Sequence, residues 1–497
     1  MRFHISSIVT KVQKQFDARW LIVVAIAAFL RFYNISSFAT FLGDQGRDAL
    51  IMQDIVTLKH FPAIGPPTSV GLIYMGPFFY YLMAPFLLIA HFNPLGPALG
   101  TTLYSLMALV LVGMMVKHYT NKTTALLFML ILSFSSFLTD VAKFAWNPNL
   151  LPYFAFATFF FFYEMIFKRK YVSAFLTGLL FGFSIQLHPL VLLTSLPLGI
   201  GTLVYIFRIQ GRKKYKLPFL ALIGFVLAIA PLIIFDLRHN FINTHSLLTL
   251  FHSNSVVTKA NITIWSFWET ANSFFHVVLP FPSQYGSVFI PVFIYLAYQS
   301  AKRALEEKNT FILTQFAIVV MYLFLFTLVS VERYPHYFGS IMLSAYLILV
   351  YPLLYKNCLV CKIGAVAVVG TFIFINILKF NFLLTTGSNQ IKRAEYIAQQ
   401  LVPHIDKGPY QLATIPFTEA DEQYRYFLSR HSPFQQLDER SLIQAEELFV
   451  LCFEPCNATD DAQWVIASFK DKHVEEVFMI QNIRIYKLVH KRVTIHK

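Results

Sequence analysis

Two carboxylates one helical turn apart are the residues of this sequence best suited to acid–base chemistry. Asp44 and Asp48 lie in FLGDQGRDALIMQDIV, where Gly43 to Gly46 is turn-like and the following residues favour a helix. A carboxylate can take a proton from an attacking hydroxyl, and two together can hold a divalent cation through oxygen ligands. We predict catalytic roles for both acids and expect no metal, because two carboxylates a turn apart are weak grounds for an ion site.

Each acid also has a structural interpretation. Asp44 is suited to cap the start of the helix, and Asp48 to compensate the dipole of its first turn or to pair with Arg47. One helical face would carry both acids and an apolar stripe that consists of Ile51, Ile55 and Leu58. A solvated helix usually turns its acids away from its apolar stripe, so the shared face indicates a lined cavity.

Polar groups recur at the ends of later apolar runs, beside Trp, Tyr and Pro. Singly, each is suited to anchoring a span at the membrane interface. Together, with Lys143 nearby, they place cations, imidazoles and amides on the side predicted for Asp44, which favours a binding site for an anionic substrate. The predicted substrate-binding residues are Arg47, Trp146, Asn147, His188, Arg238, His239, Arg333 and His336.

The elements that must position these residues are membrane helices. Hydrophobic residues make up 56% of the 497, and charged residues only 13%, against roughly 25% charged in soluble chains. Eleven apolar runs are long enough to span a bilayer: 20–38, 95–116, 123–139, 150–167, 171–187, 189–207, 217–235, 285–301, 310–330, 336–355 and 361–384. A twelfth run, 76–92, is short and interrupted by Pro77 and Pro85.

Basic residues decide the orientation. The net charge of +14 is spread in short clusters between apolar runs rather than in one patch, which excludes nucleic acid as a partner. If 76–92 does not cross, about 19 Lys and Arg lie on the cytoplasmic side and about six outside. We therefore predict a re-entrant or interfacial segment there, a cytoplasmic N-terminus, external loops at 39–94 and 236–284 and a plasma-membrane location. The amphipathic stretch from Trp265 to Val278 is predicted to lie along the interface.

Beyond residue 385 the composition changes to that of a small α/β domain. Helices are predicted at Ile391–Leu401 and Glu419–Leu428. The predicted strands are Gln411–Ile415, Leu448–Phe453, Trp464–Phe469, Val474–Ile480 and Ile483–Val489. The sequence thus predicts a transmembrane domain over 1–384 and an extracytoplasmic α/β domain over 385–497.

The four cysteines form two pairs in the sequence. For Cys358 and Cys361, free thiols are the favoured interpretation, whereas for Cys452 and Cys456 a disulfide and free thiols are equally compatible with the sequence.

The motifs RFYNI, GDQGRD, GPPTSVGLIYMGPFFYYLMAP, FAWNPNLLP, FDLRHNF and ERYPHYF resemble those of the GT-C superfamily of integral-membrane glycosyltransferases. The likeness covers about residues 15–385 and is strongest to family 39 and RgtA/B/C/D-like proteins, the branch with protein O-mannosyltransferases and the aminoarabinose transferase. It implies an all-α polytopic membrane bundle of GT-C type, with about 11 transmembrane helices plus the re-entrant segment, and a small C-terminal α/β extracytoplasmic domain.

The resemblance also implies an activity. A sugar would pass from a polyprenyl-phosphate donor to an acceptor hydroxyl of a lipid, polysaccharide or protein, with inversion and without a cofactor, and Asp44 would be the base. The sequence departs from the pattern at Gln45, where many relatives have Glu, and at Gly65, where the aminoarabinose branch often has Lys before the paired prolines. The aminoarabinose substrate is therefore not inferred.

Two other classes of function remain open. A transporter or flippase of lipid-linked sugars would also be polytopic, but such proteins often show internal repeats and charges near the membrane midplane. Here the polar groups gather at one face and two external loops are long, which favours chemistry at the surface. An assembly protein that binds a partner through its C-terminal domain is the second alternative.

Overall fold

The computed structural model describes residues 18–68, 73–211, 213–252, 263–281, 286–329, 331–353, 359–438, 441 and 443–491. All eleven predicted apolar runs contain helices, so the prediction of a mainly helical bundle with a small C-terminal sheet is confirmed. The helices within these runs are Ala18–Phe32, Ile35–Phe38, Leu95–Tyr119, Lys122–Phe134, Ser136–Val141, Leu151–Tyr163, Tyr171–Leu187, Ser195–Arg208, Lys213–Arg238, Gly286–Glu306, Thr310–Thr327, Gly339–Val350, Leu359–Ile377 and Asn381–Leu384.

Five helical segments of the described chain are long and apolar enough to cross a membrane. Shorter apolar helices accompany them. The ambiguous run 76–92 contains the helix Phe78–Ile89, which has Pro85 inside it. The five long segments are Leu95–Tyr119, Asn147–Lys168, Pro189–Arg208, Lys214–Arg238 and Thr310–Thr327.

Side chains from distant helices complete the backbone hydrogen bonding where one apolar run breaks. Between Lys122–Phe134 and Ser136–Val141, the buried Arg31 guanidinium donates to the carbonyls of Leu132 (3.0 Å) and Ser133 (3.5 Å). Asn376 accepts a 2.7 Å hydrogen bond from the backbone N–H of Ser136. Because a broken helix in an apolar environment must satisfy its backbone groups, Arg31 of the RFYNI motif has a structural role.

The chain divides into two compact units, each of which is described separately below. The first comprises Met1–Tyr33, Pro62–Met83 and Leu99–Thr385, and the second Asn34–Phe61, Ala84–Ala98 and Thr386–Lys497. The predicted domains, 1–384 and 385–497, stay a prediction.

The second unit contains a four-stranded sheet in the order β1-β2-β4-β3. β1 pairs in parallel with β2, whereas β4 pairs antiparallel with both β2 and β3. The helices Gln390–Leu401 and Glu422–His431 lie near the predicted positions. The strands are β1 (Tyr410–Ile415), β2 (Glu447–Cys452), β3 (Lys472–Ile480) and β4 (Ile483–His490).

The predicted strand at Trp464–Phe469 is wrong, since Trp464–Ser468 is a helix. Val465, Ile466 and Phe469 are buried in the core beside the sheet, while Trp464 is 72% exposed. A five-residue apolar run fits either a strand or one helical face, and only this packing distinguishes the two.

The second cysteine pair is bonded, because Cys452 and Cys456 form a disulfide. For the first pair, the expectation of free thiols is wrong at Cys361, which is disulfide-bonded. Cys358 lies outside the described residues.

Candidate active site

The second unit contains an acidic cluster, defined here as Asp44, Arg47 and Asp48. All three lie on the helix Gly43–Val56. The Arg47 guanidinium donates from Nη1 to Asp44 Oδ1 (2.8 Å), and from Nε (3.0 Å) and Nη2 (2.8 Å) to Asp48 Oδ1. One cation therefore holds both acids at the start of the helix.

The two acids differ sharply in exposure. The Asp44 side chain is 49% exposed, that of Arg47 27% and that of Asp48 only 2%. Asp44 is open to a substrate, whereas Asp48 is covered and bound to the arginine. Of the structural interpretations, the Arg47–Asp48 pair is confirmed, but the cap at Asp44 is wrong because Leu42 occupies the N-cap position.

The predicted apolar stripe of this helix is only partly correct. Ile55 is buried, but Leu58 lies beyond the last helical residue with a positive φ of 59° and is 75% exposed. The helix ends at Val56, so the helical spacing no longer applies at Leu58.

Two glycines determine how closely this helix packs within the second unit. A Cβ on Gly46 would lie 2.3 Å from the backbone nitrogen of Gln423, and a Cβ on Gly43 would lie 2.3 Å from the Cβ of Ala420. Only glycine permits this approach to the start of the helix Glu422–His431. Sequence reasoning treated these glycines as turn residues; their spacing of three, typical of a helical contact stripe, is the signal that was missed.

The first unit contains a second group, the histidine cluster, defined as Trp146, His188, Tyr334, His336 and Tyr337. The His336 ring lies 4.9 Å from Trp146, 5.4 Å from His188, 5.9 Å from Tyr334 and 4.5 Å from Tyr337, measured between ring centroids. Three of the predicted binding residues, from three separate span ends, therefore meet in one place.

Proline-initiated turns place these side chains. Trp146 precedes the 3₁₀ turn Asn147–Leu150, His188 precedes Pro189–Thr194, and His336 lies in Pro335–Phe338. Proline fixes φ and suits the first positions of a helical turn, because the N–H groups there have no hydrogen-bond partner within the helix. A polar or aromatic residue next to such a proline is thus held where an apolar run breaks.

The surroundings of His188 determine the protonation state of its imidazole. Its Nδ1 accepts a 3.3 Å hydrogen bond from the backbone N–H of Leu190, so the ring proton lies on Nε2. Burial, and then neighbouring His336, lower the pKa of His188 well below its usual value. His188 is therefore a neutral imidazole.

A backbone pairing between residues 65–68 and 73–76 of the first unit, the paired segments, was not foreseen from the sequence. Gly65 N–H donates to Met75 O (2.6 Å), and a Cβ on Gly65 would lie 2.2 Å from the Gly76 carbonyl oxygen. Asn147 Nδ2 donates to Leu187 O (2.7 Å) and contacts Met75 Sδ (3.3 Å). The paired glycines and prolines of GPPTSVGLIYMGP were the available signal.

The same paired segments contact the residues that follow FDLRHNF. Tyr74 N–H donates to Asn243 Oδ1 (2.8 Å), and Asn243 Nδ2 donates to Tyr74 O (3.1 Å). Asp236 is buried and accepts the backbone N–H of Asn243. Arg238 is exposed, and the His239 ring, just beyond the helix, stacks on Phe235 at 4.1 Å; no described contact joins either residue to the histidine cluster.

Arg333 and Lys143 are tethered to backbone carbonyls. Arg333 Nη1 donates to the carbonyls of Val329 (3.0 Å) and Val331, and its guanidinium lies 4.7 Å from the Phe326 ring centroid. Lys143 is 2% exposed and donates to Tyr33 O (2.7 Å) and Arg31 O (3.1 Å). Both cations therefore stabilise the loops in which they lie.

A divalent ion has one conceivable carboxylate site among the described residues. Ligand atoms of Asp406, Glu447 and Glu475 lie within 4.8 Å of one another. Lys487 Nζ already lies among them, 2.5 Å from Asp406 and 3.1 Å from each glutamate, which makes this a lysine ion-pair site. At Asp44 and Asp48, Arg47 supplies the positive charge.

The chain has the fold of the GT-C membrane glycosyltransferases, as the resemblance predicted. ArnT from Cupriavidus metallidurans bound to undecaprenyl phosphate aligns with a TM-score of 0.62 and 12% identity over 94% of this chain and 98% of that chain. Its apo state aligns with a TM-score of 0.61 and 12% identity over 94% and 97%. An oligosaccharyltransferase from Archaeoglobus fulgidus aligns with a TM-score of 0.48 and 13% identity over 84% and 62%.

No protein-family model matches the sequence, and no curated protein matches it. At 12% identity the likeness to ArnT establishes the fold alone.

Proposed function

We propose that this protein is a membrane glycosyltransferase that moves a sugar from a polyprenyl-phosphate donor to an acceptor hydroxyl at the extracytoplasmic face. The observation that carries the proposal is the half-exposed Asp44 carboxylate, held by Arg47 at the start of its helix. It occurs in a chain whose fold is shared with ArnT, a protein crystallised with undecaprenyl phosphate.

In the proposed reaction, Asp44 takes the proton of the acceptor hydroxyl. The acceptor oxygen forms a bond to the anomeric carbon as the bond from that carbon to the phosphate oxygen breaks, with inversion, and polyprenyl phosphate leaves. Asp44 Oδ2 accepts no described hydrogen bond and can receive the proton. Such base assistance contributes roughly 10²–10⁴-fold to a rate.

Asp48 and Arg47 act as positioning residues in this scheme. Asp48 is covered and binds Arg47 through two hydrogen bonds, so it fixes the guanidinium that in turn orients Asp44. The phosphate leaving group needs cationic or hydrogen-bonding partners rather than a general acid.

The proposed topology places the N-terminus in the cytoplasm and residues 385–497 outside. The helix Phe78–Ile89 has 12 residues and is about 18 Å long, short of the roughly 30 Å hydrocarbon core. Helices this short also occur in the eleven runs, so the support for a segment that does not cross is Pro85 inside the helix together with the distribution of basic residues. An Asn93→Cys substitution in a background lacking native cysteines should react with an impermeant thiol reagent added outside; protection there, with labelling of a cysteine at Lys214, would overturn this topology.

The activity is tested by removing the protein from its cells and measuring polyprenyl-linked sugars by mass spectrometry. A transferase should leave one polyprenyl-phosphate sugar accumulating, and restoring the protein should remove it. Purified protein with that lipid should then release polyprenyl phosphate when acceptor is added. Movement of the lipid across proteoliposomes with its sugar intact would instead support the transporter or flippase.

A further inference from the structure

The histidine cluster combines ring faces with hydrogen-bonding edges. Its members are Trp, His and Tyr, each an aromatic ring that also carries an N–H, N or O–H group. Trp146 and His336 are partly exposed, Tyr334 is 48% exposed, and His188 is buried. An isoprenoid chain has no groups that could form hydrogen bonds with these polar edges, whereas a hydroxylated ring needs both an apolar surface and hydrogen-bonding partners.

The rings meet at steep angles. Trp146 and His336 are inclined at 64°, and His336 and Tyr337 at 77°, whereas Tyr334 and His336 lie nearly parallel at 14°. One ring can therefore contact the face of a ligand while the ring inclined to it contacts the edge of that ligand; such a pair of rings is called a corner. A pyranose matches a corner, because its C–H face can lie on one ring while its equatorial hydroxyls point to the polar atoms of the other.

The cluster is fixed before any ligand arrives. Tyr322 O–H donates to the Tyr337 carbonyl (2.5 Å), and Tyr322 is fully buried. Proline is the first or second residue of the three turns beside which Trp146, His188 and His336 lie. Held side chains lose little conformational entropy on binding, which suits a recognition site.

The cluster also differs in charge from a phosphate site. The nearest cation in sequence, Arg333, donates to the carbonyls of its own loop, and His188 Nδ1 accepts the Leu190 N–H. A neutral, polar ring is therefore the partner that fits, rather than the phosphate that links sugar and lipid.

We infer that the histidine cluster is a stacking subsite for the pyranose ring of the lipid-linked sugar, with Trp146 and His336 as its corner. This inference rests on the proposed function. The sugar is recognised by uncharged aromatic rings in the first unit, and Trp146 and His336 determine affinity for it.

The test compares binding of undecaprenyl phosphate, undecaprenyl-phosphate glucose and undecaprenyl-phosphate mannose to the purified full chain. Wild type should bind a glycosylated lipid more tightly than the bare phosphate. Trp146→Ala should weaken binding of that glycosylated lipid about tenfold and leave undecaprenyl phosphate unchanged. Trp146→Phe, which keeps a ring face but loses the indole N–H, should weaken binding of that glycosylated lipid less than Trp146→Ala does, whereas Trp464→Ala, which removes the exposed Trp of the α/β region, should bind all three lipids like wild type.

The outcomes separate the inference from the proposed function. Equal weakening for all three lipids in a monodisperse Trp146→Ala protein would mean that the cluster holds the prenyl phosphate, and no weakening would mean that it is structural; either result overturns the inference alone. If Trp146→Ala does not fold, His336→Gln replaces it, with the same expected tenfold loss for the glycosylated lipid only. Wild type that binds none of the lipids would overturn both.

Discussion

Substituting Gly46 by alanine should destabilise the protein although alanine is the better helix former. Gly46 lies within the helix Gly43–Val56. A Cβ there would lie 2.3 Å from the nitrogen and 2.6 Å from the Cα of Gln423, and 2.4 Å from the carbonyl carbon of Glu422. All three are backbone atoms, so no side-chain rotation relieves the contact and the two helices must move apart.

The size of the effect follows from two opposing contributions. Alanine gains about 1 kcal/mol over glycine in a helix interior, whereas overpacking a close contact costs about 1–3 kcal/mol. With three backbone contacts this short, the cost lies at the upper end, and the net loss is about 2 kcal/mol. In a unit of this size that lowers Tm by roughly 4–8 °C.

The assay is thermal unfolding of the purified protein in detergent, with Gly370→Ala as the matched control. Gly370 lies in the helix Leu359–Ile377, and a Cβ there meets nothing within 4 Å. We expect the control to melt at the wild-type temperature or slightly above it. A Gly46→Ala protein that melts like the control would refute the close packing and the role given to Gly46.

Two further predictions follow from the side chains of the two units. Arg47→Lys should lower kcat about 10- to 100-fold while binding of the donor changes little, because one ammonium cannot replace a guanidinium that binds Asp44 and Asp48 together; steady-state kinetics with unchanged kcat would contradict it. Burial lowers the pKa of Lys143 from 10.5 to about 8, so between those values the unfolded chain binds more protons and stability rises with pH. Between pH 7.5 and 9.5, Tm should therefore rise more in wild type than in Lys143→Met, and parallel curves would contradict this.

The sequence predicted the helices well because long apolar runs have few alternatives in a membrane. All eleven runs contain helices, and the amphipathic stretch near Trp265 is the helix Ile264–Val278. Breaks inside the runs were not foreseen. The break at Ser135 depends on Arg31 and Asn376, which are distant in sequence, and local pattern cannot reveal such partners.

The candidate site was predictable in part. The position of Trp146, His188 and His336 at the ends of apolar runs predicts a common site, and the structure brings their rings together. The same pattern predicts Arg238 and His239, yet no described contact joins them to those rings. Asn147 was expected to bind substrate, but its amide donates to Leu187 O. Which end groups converge depends on contacts between residues far apart in sequence, such as that of Trp146 with His336.

The catalytic roles of Asp44 and Asp48 stay predictions, although the geometry separates them. Asp44 is accessible and Asp48 is covered. Spacing alone gave both acids the same helical face and could not tell which one a neighbouring segment would bury.

The most direct measurement is the rate of sugar transfer by purified Asp44→Asn protein, with Asp54→Asn as a control on the same helix. The substitution keeps the size and polarity of the side chain but removes the base. Transfer should fall by roughly 10²–10⁴-fold in Asp44→Asn, with an unchanged Tm, whereas Asp54→Asn should transfer like wild type. A monodisperse Asp44→Asn protein that transfers sugar at the wild-type rate would contradict the account.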